Sequence, residues 1–159
     1  KLEHQLGRNA DAFNTLTQLE QAAPQAMPLA AELLAQVAKS CGQQTVALKN
    51  LENNYDTLPS VDVLEAIIQL GDDRQSARDW YVKHLERQPS LLAASRWIAG
   101  ERFENEQPHK LVQRALDQAT KPLMRYRCAA CGFEATQHFW HCPGCQAWDS
   151  YPARRIEEL

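Results

Sequence analysis

Two closely spaced pairs of cysteines near the end of the chain constrain its fold more than any other feature. The first pair is Cys128 and Cys131, the second is Cys142 and Cys145, and ten residues separate them. Two residues lie between the cysteines of each pair, a spacing that lets one tight turn place both sulfurs on the same metal ion. The sequence therefore predicts one four-thiolate site that binds Zn²⁺, or alternatively Fe²⁺ or Fe³⁺.

The residues around the two pairs agree with a metal site. Gly132 follows the first pair, where such a turn commonly needs a positive φ, and Pro143 fixes φ within the second pair. Two disulfides, or buried cysteines without a ligand, are the alternatives. A chain with 5 cysteines in 159 residues is not composed like a disulfide scaffold, and Cys41 is interpreted as a small buried apolar residue. Free thiols at this spacing indicate a reducing compartment.

A small metal module accounts for only the last part of this chain. With 44% hydrophobic and 23% charged residues, the composition predicts a soluble globular body preceding the module. No apolar run approaches the roughly 18 residues that a membrane-spanning helix needs. The net charge of −3 and the scattered arginines of the module argue against nucleic acid as a partner, although a nucleic-acid-binding zinc ribbon is kept as an alternative.

Landmark residues recur at a nearly constant interval through the first 120 residues. Gly7 and Gly42 are 35 residues apart, as are Pro24 and Pro59, and Pro89 follows 30 residues later. This period is typical of helical hairpins of the tetratricopeptide (TPR) type, with HEAT-like or irregular hairpins as alternatives. The sequence predicts a mostly α protein: TPR-like repeats at 1–120, beginning in the middle of a repeat, and a rubredoxin-like ribbon with its tail at 121–159. We expect the chain to be a fragment.

Apolar periodicity and turn residues predict the positions of the helices. The predicted helices are 2–6, 11–22, 26–41, 43–55, 60–70, 73–88, 90–103 and 108–119. Ser60 and Ser90 are predicted N-caps, and Gly42 and Gly71 are predicted left-handed residues at helix ends. The apolar stripe of the last helix, which includes Leu111, is predicted to belong to a hairpin core.

The sequence contains no recognisable catalytic motif. It has no phosphate-binding loop, no dinucleotide fingerprint and no G-x-S-x-G turn, and its 5 histidines form no H-E-x-x-H pattern. It therefore predicts a protein that is not an enzyme, with no catalytic residues and no organic cofactor. A rubredoxin-like electron carrier on a helical scaffold is the main alternative.

Two segments around the cysteines resemble one known family. Residues 126–133 (YRCAACGF) and 140–148 (WHCPGCQAW) resemble the C-terminal rubredoxin-type domain of the lipopolysaccharide assembly protein B family (LapB, also called YciM), where helical repeats precede the domain. The resemblance implies an adaptor at the cytoplasmic face of the inner membrane of Gram-negative bacteria, held there by an N-terminal helix that has no counterpart in these residues. It also implies partners: the membrane protease FtsH and its substrate LpxC, the lipid A deacetylase. Association into a homo-oligomer is left open.

Three further expectations concern the ribbon itself. Gln146 stands where a rubredoxin usually has glycine, and the loop between the pairs is short, which argues against electron transfer. The short linker at 120–124 predicts that the ribbon packs on the last helices, with Phe139, Trp140 or Trp148 buried against residues 90–119. His138 and His141 are expected to be outer donors to the site or exposed.

Overall fold

A computed structural model describes residues 1–71, 73–104 and 106–159. The chain is mostly α-helical and ends in a small ribbon that carries the four paired cysteines, so the predicted fold class is confirmed. It divides into two compact units, Lys1–Trp80 and Tyr81–Leu159. The boundary predicted between residues 120 and 121, which separates helices from ribbon, stays a prediction. Among the described residues, no helix combines the length and apolar character needed to cross a membrane.

The first unit is built from helices that share one core. Its helices are α1 (Leu2–Gln5), α2 (Asn9–Ala22), α3 (Ala31–Cys41), α4 (Gln44–Thr57), α5 (Val61–Leu70) and the start of α6 (Arg74–Arg87). Helix α3 packs against α2, α4 and α5, so it lies at the centre of this unit. Leu34, Val37, Leu51 and Tyr55 are fully buried, as their helical spacing predicted.

The segment predicted as one helix at 26–41 consists of two elements. A 3₁₀ helix spans Pro24–Leu29, and α3 begins at Ala31. Pro28 lies inside the 3₁₀ helix and has no N–H to donate, which disfavours a continuous α-helix through this region. The prediction of a single α-helix at 26–41 was therefore wrong for residues 26–30.

The predicted helix ends are partly confirmed. Gly42 follows α3 with φ +72°, and the Ser90 hydroxyl accepts a hydrogen bond from the Ala93 N–H at 2.9 Å. Ser60 occupies the N-cap position of α5, but its side chain makes no capping bond and its buried hydroxyl has no partner. Gly71 has φ −73°, which is not left-handed. The roles predicted for Ser60 and Gly71 were wrong because spacing alone does not set side-chain or backbone torsions.

The second unit joins a helical hairpin to the ribbon. After the end of α6 it contains α7 (Leu91–Gly100), α8 (Glu106–Thr120), β1 (Tyr126–Arg127), β2 (Glu134–Ala135) and a 3₁₀ helix at Ile156–Glu158. Helices α7 and α8 pack against each other. This unit contains every residue of the predicted metal site.

The predicted core stripe of α8 faces solvent. Leu111 and Val112 are 65% and 50% exposed, so their assignment to a hairpin core was wrong. The side of α8 that meets α7 is polar: a ring nitrogen of His109 lies 3.1 Å from the Ile98 carbonyl oxygen, and the Gln113 amide donates to the Ser95 hydroxyl at 3.2 Å. Periodicity locates an apolar stripe on a helix but does not determine which side receives a neighbour.

Candidate metal centre

The first cysteine pair lies in the turn of a two-stranded hairpin. Strands β1 and β2 are antiparallel, with Arg127 opposite Glu134. The Cys128 N–H donates to the Phe133 carbonyl at 3.0 Å, and the Gly132 N–H donates to the Cys128 carbonyl at 2.9 Å. Gly132 has φ +76°, as the sequence predicted, so the chain can turn sharply directly after Cys131.

The second cysteine pair repeats this backbone arrangement. The Cys142 N–H donates to the Ala147 carbonyl, and the Gln146 N–H donates to the Cys142 carbonyl, both at 2.9 Å. Gln146 has φ +61° and therefore occupies the position that Gly132 holds in the first turn. The two turns are closely alike, but one of them places a residue with a side chain in the left-handed region.

The two turns bring the four cysteine sulfurs together. All four sulfur atoms lie within 4.8 Å of one another, with Cys128 to Cys145 at 3.8 Å and Cys131 to Cys142 at 3.7 Å. Tetrahedral zinc with bonds of about 2.3 Å requires sulfurs about 3.8 Å apart, so the cluster fits such an ion. The donor set alone does not select zinc over iron, and the assignment of these residues as ligands stays a prediction.

The cluster is enclosed on one side only. Cys128 and Cys142, the first cysteine of each pair, are buried, whereas Cys131 and Cys145 are exposed. A bound ion would therefore be shielded by the protein on one side and lie near solvent on the other.

Hydrogen bonds around Cys128 favour its thiolate form. The Ser150 hydroxyl oxygen lies 3.2 Å from Cys128 Sγ, and this contact is the main cause that lowers the pKa of Cys128 to about 6. The backbone N–H groups of Cys131 and Ala130 act in the same direction. Because a metal binds the thiolate, these contacts prepare the sulfur for coordination.

Hydrogen bonds also favour the thiolate form of Cys142, the second buried cysteine. Burial by itself raises the pKa of Cys142, but the N–H groups of Cys145 and Gly144 outweigh it, and the net shift is downward. The Tyr151 hydroxyl lies 4.0 Å from Cys142 Sγ and donates to the Phe133 carbonyl at 3.1 Å. Burial, followed by the nearby cysteines, raises the pKa of Tyr151 to about 12, so this phenol stays protonated.

Sequence reasoning missed Ser150 and Tyr151 as supporting residues. Both lie a few residues after the second pair, and the Ala129 N–H donates to the Ser150 carbonyl at 2.7 Å, which holds this segment across the first turn. No spacing rule points to either residue. The folded structure brings them near the cluster, where Trp148 forms a β-bridge with His141 just before them.

The two histidines near the second pair lie outside the sulfur cluster. His138 is half-buried, and its Nε2 lies 3.0 Å from the Tyr151 carbonyl oxygen, so it supports the segment that covers the site. The exposed His141 ring lies against the Trp148 ring with centroids 4.7 Å apart. Of the three aromatic residues predicted as alternatives for burial against the helices, Trp140 and Trp148 are 60% and 71% exposed, so the prediction was wrong for these two. Phe139 is half-buried, and its ring centroid lies 6.0 Å from that of Tyr151.

Comparisons with known proteins agree with the resemblance seen in the sequence. Residues 126–151 match the family model of the LapB zinc ribbon, described as a rubredoxin metal binding domain. The chain is 27% identical over 103 residues to lipopolysaccharide assembly protein B of Escherichia coli (strain K12), an alignment that covers 61% of this chain and 26% of that protein. It is 25% identical over 92 residues to the protein of the same name from Haemophilus influenzae, covering 55% of this chain and 23% of that protein.

The chain spans about a quarter of the length of the curated relatives it matches. The aligned part nevertheless includes more than half of this chain, and the ribbon has its own family match. Together these findings confirm the resemblance to the lipopolysaccharide assembly protein B family, which is specific in the ribbon at residues 126–151 and extends over more than half of the chain.

Proposed function

We propose that this chain is part of a non-catalytic adaptor that regulates lipopolysaccharide synthesis by contacting other proteins. The name of its relatives, lipopolysaccharide assembly protein B, supports a role in lipopolysaccharide assembly. Helical hairpins commonly supply surfaces for protein partners, and the ribbon adds a second surface whose shape depends on the metal.

One observation carries the proposal: large aromatic side chains stand exposed beside the cysteine cluster. Trp148, Trp140 and Phe133 are 71%, 60% and 43% exposed, although the ribbon buries Tyr126 and Tyr151. Exposed aromatic residues on a rigid support are typical of protein interfaces, where tryptophan and tyrosine contribute most of the binding energy. In this proposal the metal holds the ribbon rigid and the exposed rings meet a partner.

The finer form of the proposal names the partners. The full-length protein, at the cytoplasmic face of the inner membrane, would present LpxC to the protease FtsH and so accelerate LpxC degradation. No bond is made or broken by the adaptor itself. Its residues act by binding, and the hydrolysis belongs to the protease.

The test uses cells that carry the full-length protein with Trp140→Ala or Trp148→Ala. Both side chains are mostly exposed, so these substitutions should leave the ribbon folded. We expect LpxC to persist longer after synthesis is stopped, and less FtsH or LpxC to co-purify. Val46→Ala, which truncates a side chain 45% exposed in the other unit, is the matched control. Normal LpxC turnover in both tryptophan variants would contradict the proposal.

A second candidate function, electron transfer, is favoured by the exposure of Cys131 and Cys145. A rubredoxin-like carrier needs iron near the surface, where an electron can enter. Iron-loaded protein would be red and would show reversible one-electron reduction. Colourless protein holding one zinc ion, with normal regulation of LpxC, would remove this candidate.

A further inference from the structure

The last residues of the chain lie between the ribbon and helix α7, within the same compact unit. We propose that residues 155–158, here called the tail latch, couple metal binding by the ribbon to the N-terminus of α7. A metal-loaded ribbon holds the latch in place, and the latch in turn caps the helix. This inference stands apart from the proposed adaptor function, since it concerns two parts of one unit and no partner.

The first half of the latch is attached to the start of the ribbon. The Arg155 guanidinium carbon lies 4.3 Å from the centre of the Tyr126 ring, and its Nη1 donates to the Met124 carbonyl at 2.7 Å. The Ile156 N–H donates to the Arg125 carbonyl at 2.8 Å. Tyr126 is only 5% exposed and lies in β1, two residues before Cys128. The position of the latch therefore depends on the hairpin that carries the first cysteine pair.

The second half of the latch caps α7. Glu157 Oε1 accepts hydrogen bonds from the Leu91 N–H and, at 3.0 Å, from the Leu92 N–H. Glu157 Oε2 accepts from the Ser90 hydroxyl at 2.9 Å, and that hydroxyl accepts from the Ala93 N–H at 2.9 Å. The first N–H groups of a helix have no partner within the helix, and a negative charge is favourable there. Ser90 and Glu157 together satisfy three of these groups.

Metal removal should open this arrangement. A ribbon of this size has too small an apolar core to hold its turns without the ion, so β1 and its Tyr126 anchor lose their positions. Glu157 then has no fixed support, and the N–H groups of Leu91 and Leu92 return to solvent. Coupling between two sites is reciprocal: the factor by which bound metal strengthens the Glu157 contacts with α7 equals the factor by which these contacts strengthen metal binding. Loss of the Glu157 contacts must therefore weaken metal binding by that factor.

Hydrogen exchange at the start of α7 tests whether metal binding by the ribbon protects the N-terminus of this helix. In the zinc-loaded chain we expect slow exchange at Leu91 and Leu92, and faster exchange after zinc is removed with a chelator. In Glu157→Ala the same amides should exchange fast with zinc bound, and chelation should cause no further increase. Glu106→Ala is the matched control, because it removes an exposed carboxylate from the first turn of neighbouring α8 without touching the latch.

Zinc affinity tests whether the contacts of Glu157 with α7 in turn strengthen metal binding by the ribbon. Competition with a chromophoric chelator should show that Glu157→Ala binds zinc roughly 2- to 30-fold more weakly than the unaltered chain, the range expected from losing a helix cap. Glu106→Ala should bind zinc normally. Cobalt(II) absorption from four thiolates would verify that each variant still forms the site.

Three results would each overturn the latch. The first is unchanged exchange at Leu91 and Leu92 when zinc is removed from the unaltered chain, a measurement that needs no variant. The second is zinc affinity in Glu157→Ala equal to that of the unaltered chain. Weaker affinity in Glu106→Ala to the same extent would also contradict it, because the effect would then be a general loss of charge.

Discussion

Substitution of Gly132 by alanine tests whether backbone conformation in the cysteine turns limits metal binding. Gly132 has φ +76°, and a Cβ atom placed on it would meet no atom within 4 Å. A steric clash with the surroundings therefore cannot cause a loss of stability in Gly132→Ala. The remaining cost is that of holding an L-residue in the left-handed region.

The expected loss of ribbon stability in Gly132→Ala is the difference between two opposing effects. A left-handed conformation costs an L-residue about 1–2 kcal/mol. Alanine also reduces the freedom of the unfolded chain, which returns about 0.4–1 kcal/mol. The net destabilisation is about 1 kcal/mol, and because ribbon folding is coupled to metal binding, the apparent zinc affinity should fall about fivefold. Gln146 has φ +61° in the second turn and already bears the cost of a left-handed L-residue. Gln146→Gly removes this cost and should therefore tighten zinc binding.

Chelator competition at fixed pH measures both variants against the unaltered chain. Gly100→Ala is the control, since Gly100 ends α7 without a positive φ and a Cβ atom there also meets nothing within 4 Å. It should leave zinc affinity unchanged. The reasoning is refuted if Gly132→Ala binds zinc as tightly as the unaltered chain, or if Gln146→Gly binds it more weakly.

Three further predictions concern the ribbon, the core and pH. Cys142→Ser should abolish tight metal binding and the near-ultraviolet signal of the ribbon, while far-ultraviolet circular dichroism stays mostly helical. Loss of most of the helical signal would show that the helices need the metal in order to fold. Leu34→Ala should lower the free energy of unfolding in urea by about 2–5 kcal/mol and Leu111→Ala by less than about 0.5 kcal/mol, because only Leu34 is buried; equal losses would show that Leu111 is covered in solution. Burial is the main cause that lowers the pKa of His84 from its usual 6.5, so the unfolded chain binds this proton more readily and stability should fall as pH drops through about 6.5. The fall should be shallower in His84→Gln, and an identical pH profile in the two proteins would contradict this origin.

Local sequence patterns determined the helices and the metal turns. The spacing of Leu34, Val37 and other apolar residues predicts the helices, because helical periodicity is a local property. Most predicted bounds agree with the structure to within a few residues, but the helix predicted to start at residue 26 begins at Ala31. The cysteine spacing and Gly132 likewise predict the turns, since two residues between cysteines and one left-handed residue define the turn without distant contacts.

The tertiary structure alone decided which groups support these elements. Ser90 meets Glu157 across 67 residues of sequence, and Ser150 reaches Cys128 across 22, so neither contact leaves a periodic or spacing signal. The exposed side of α8 is a similar case, because the amphipathic pattern around Leu111 is the same whether or not a neighbour covers it. Local patterns record backbone preferences within a few residues, whereas capping, thiolate support and burial depend on which distant segments the folded chain brings together.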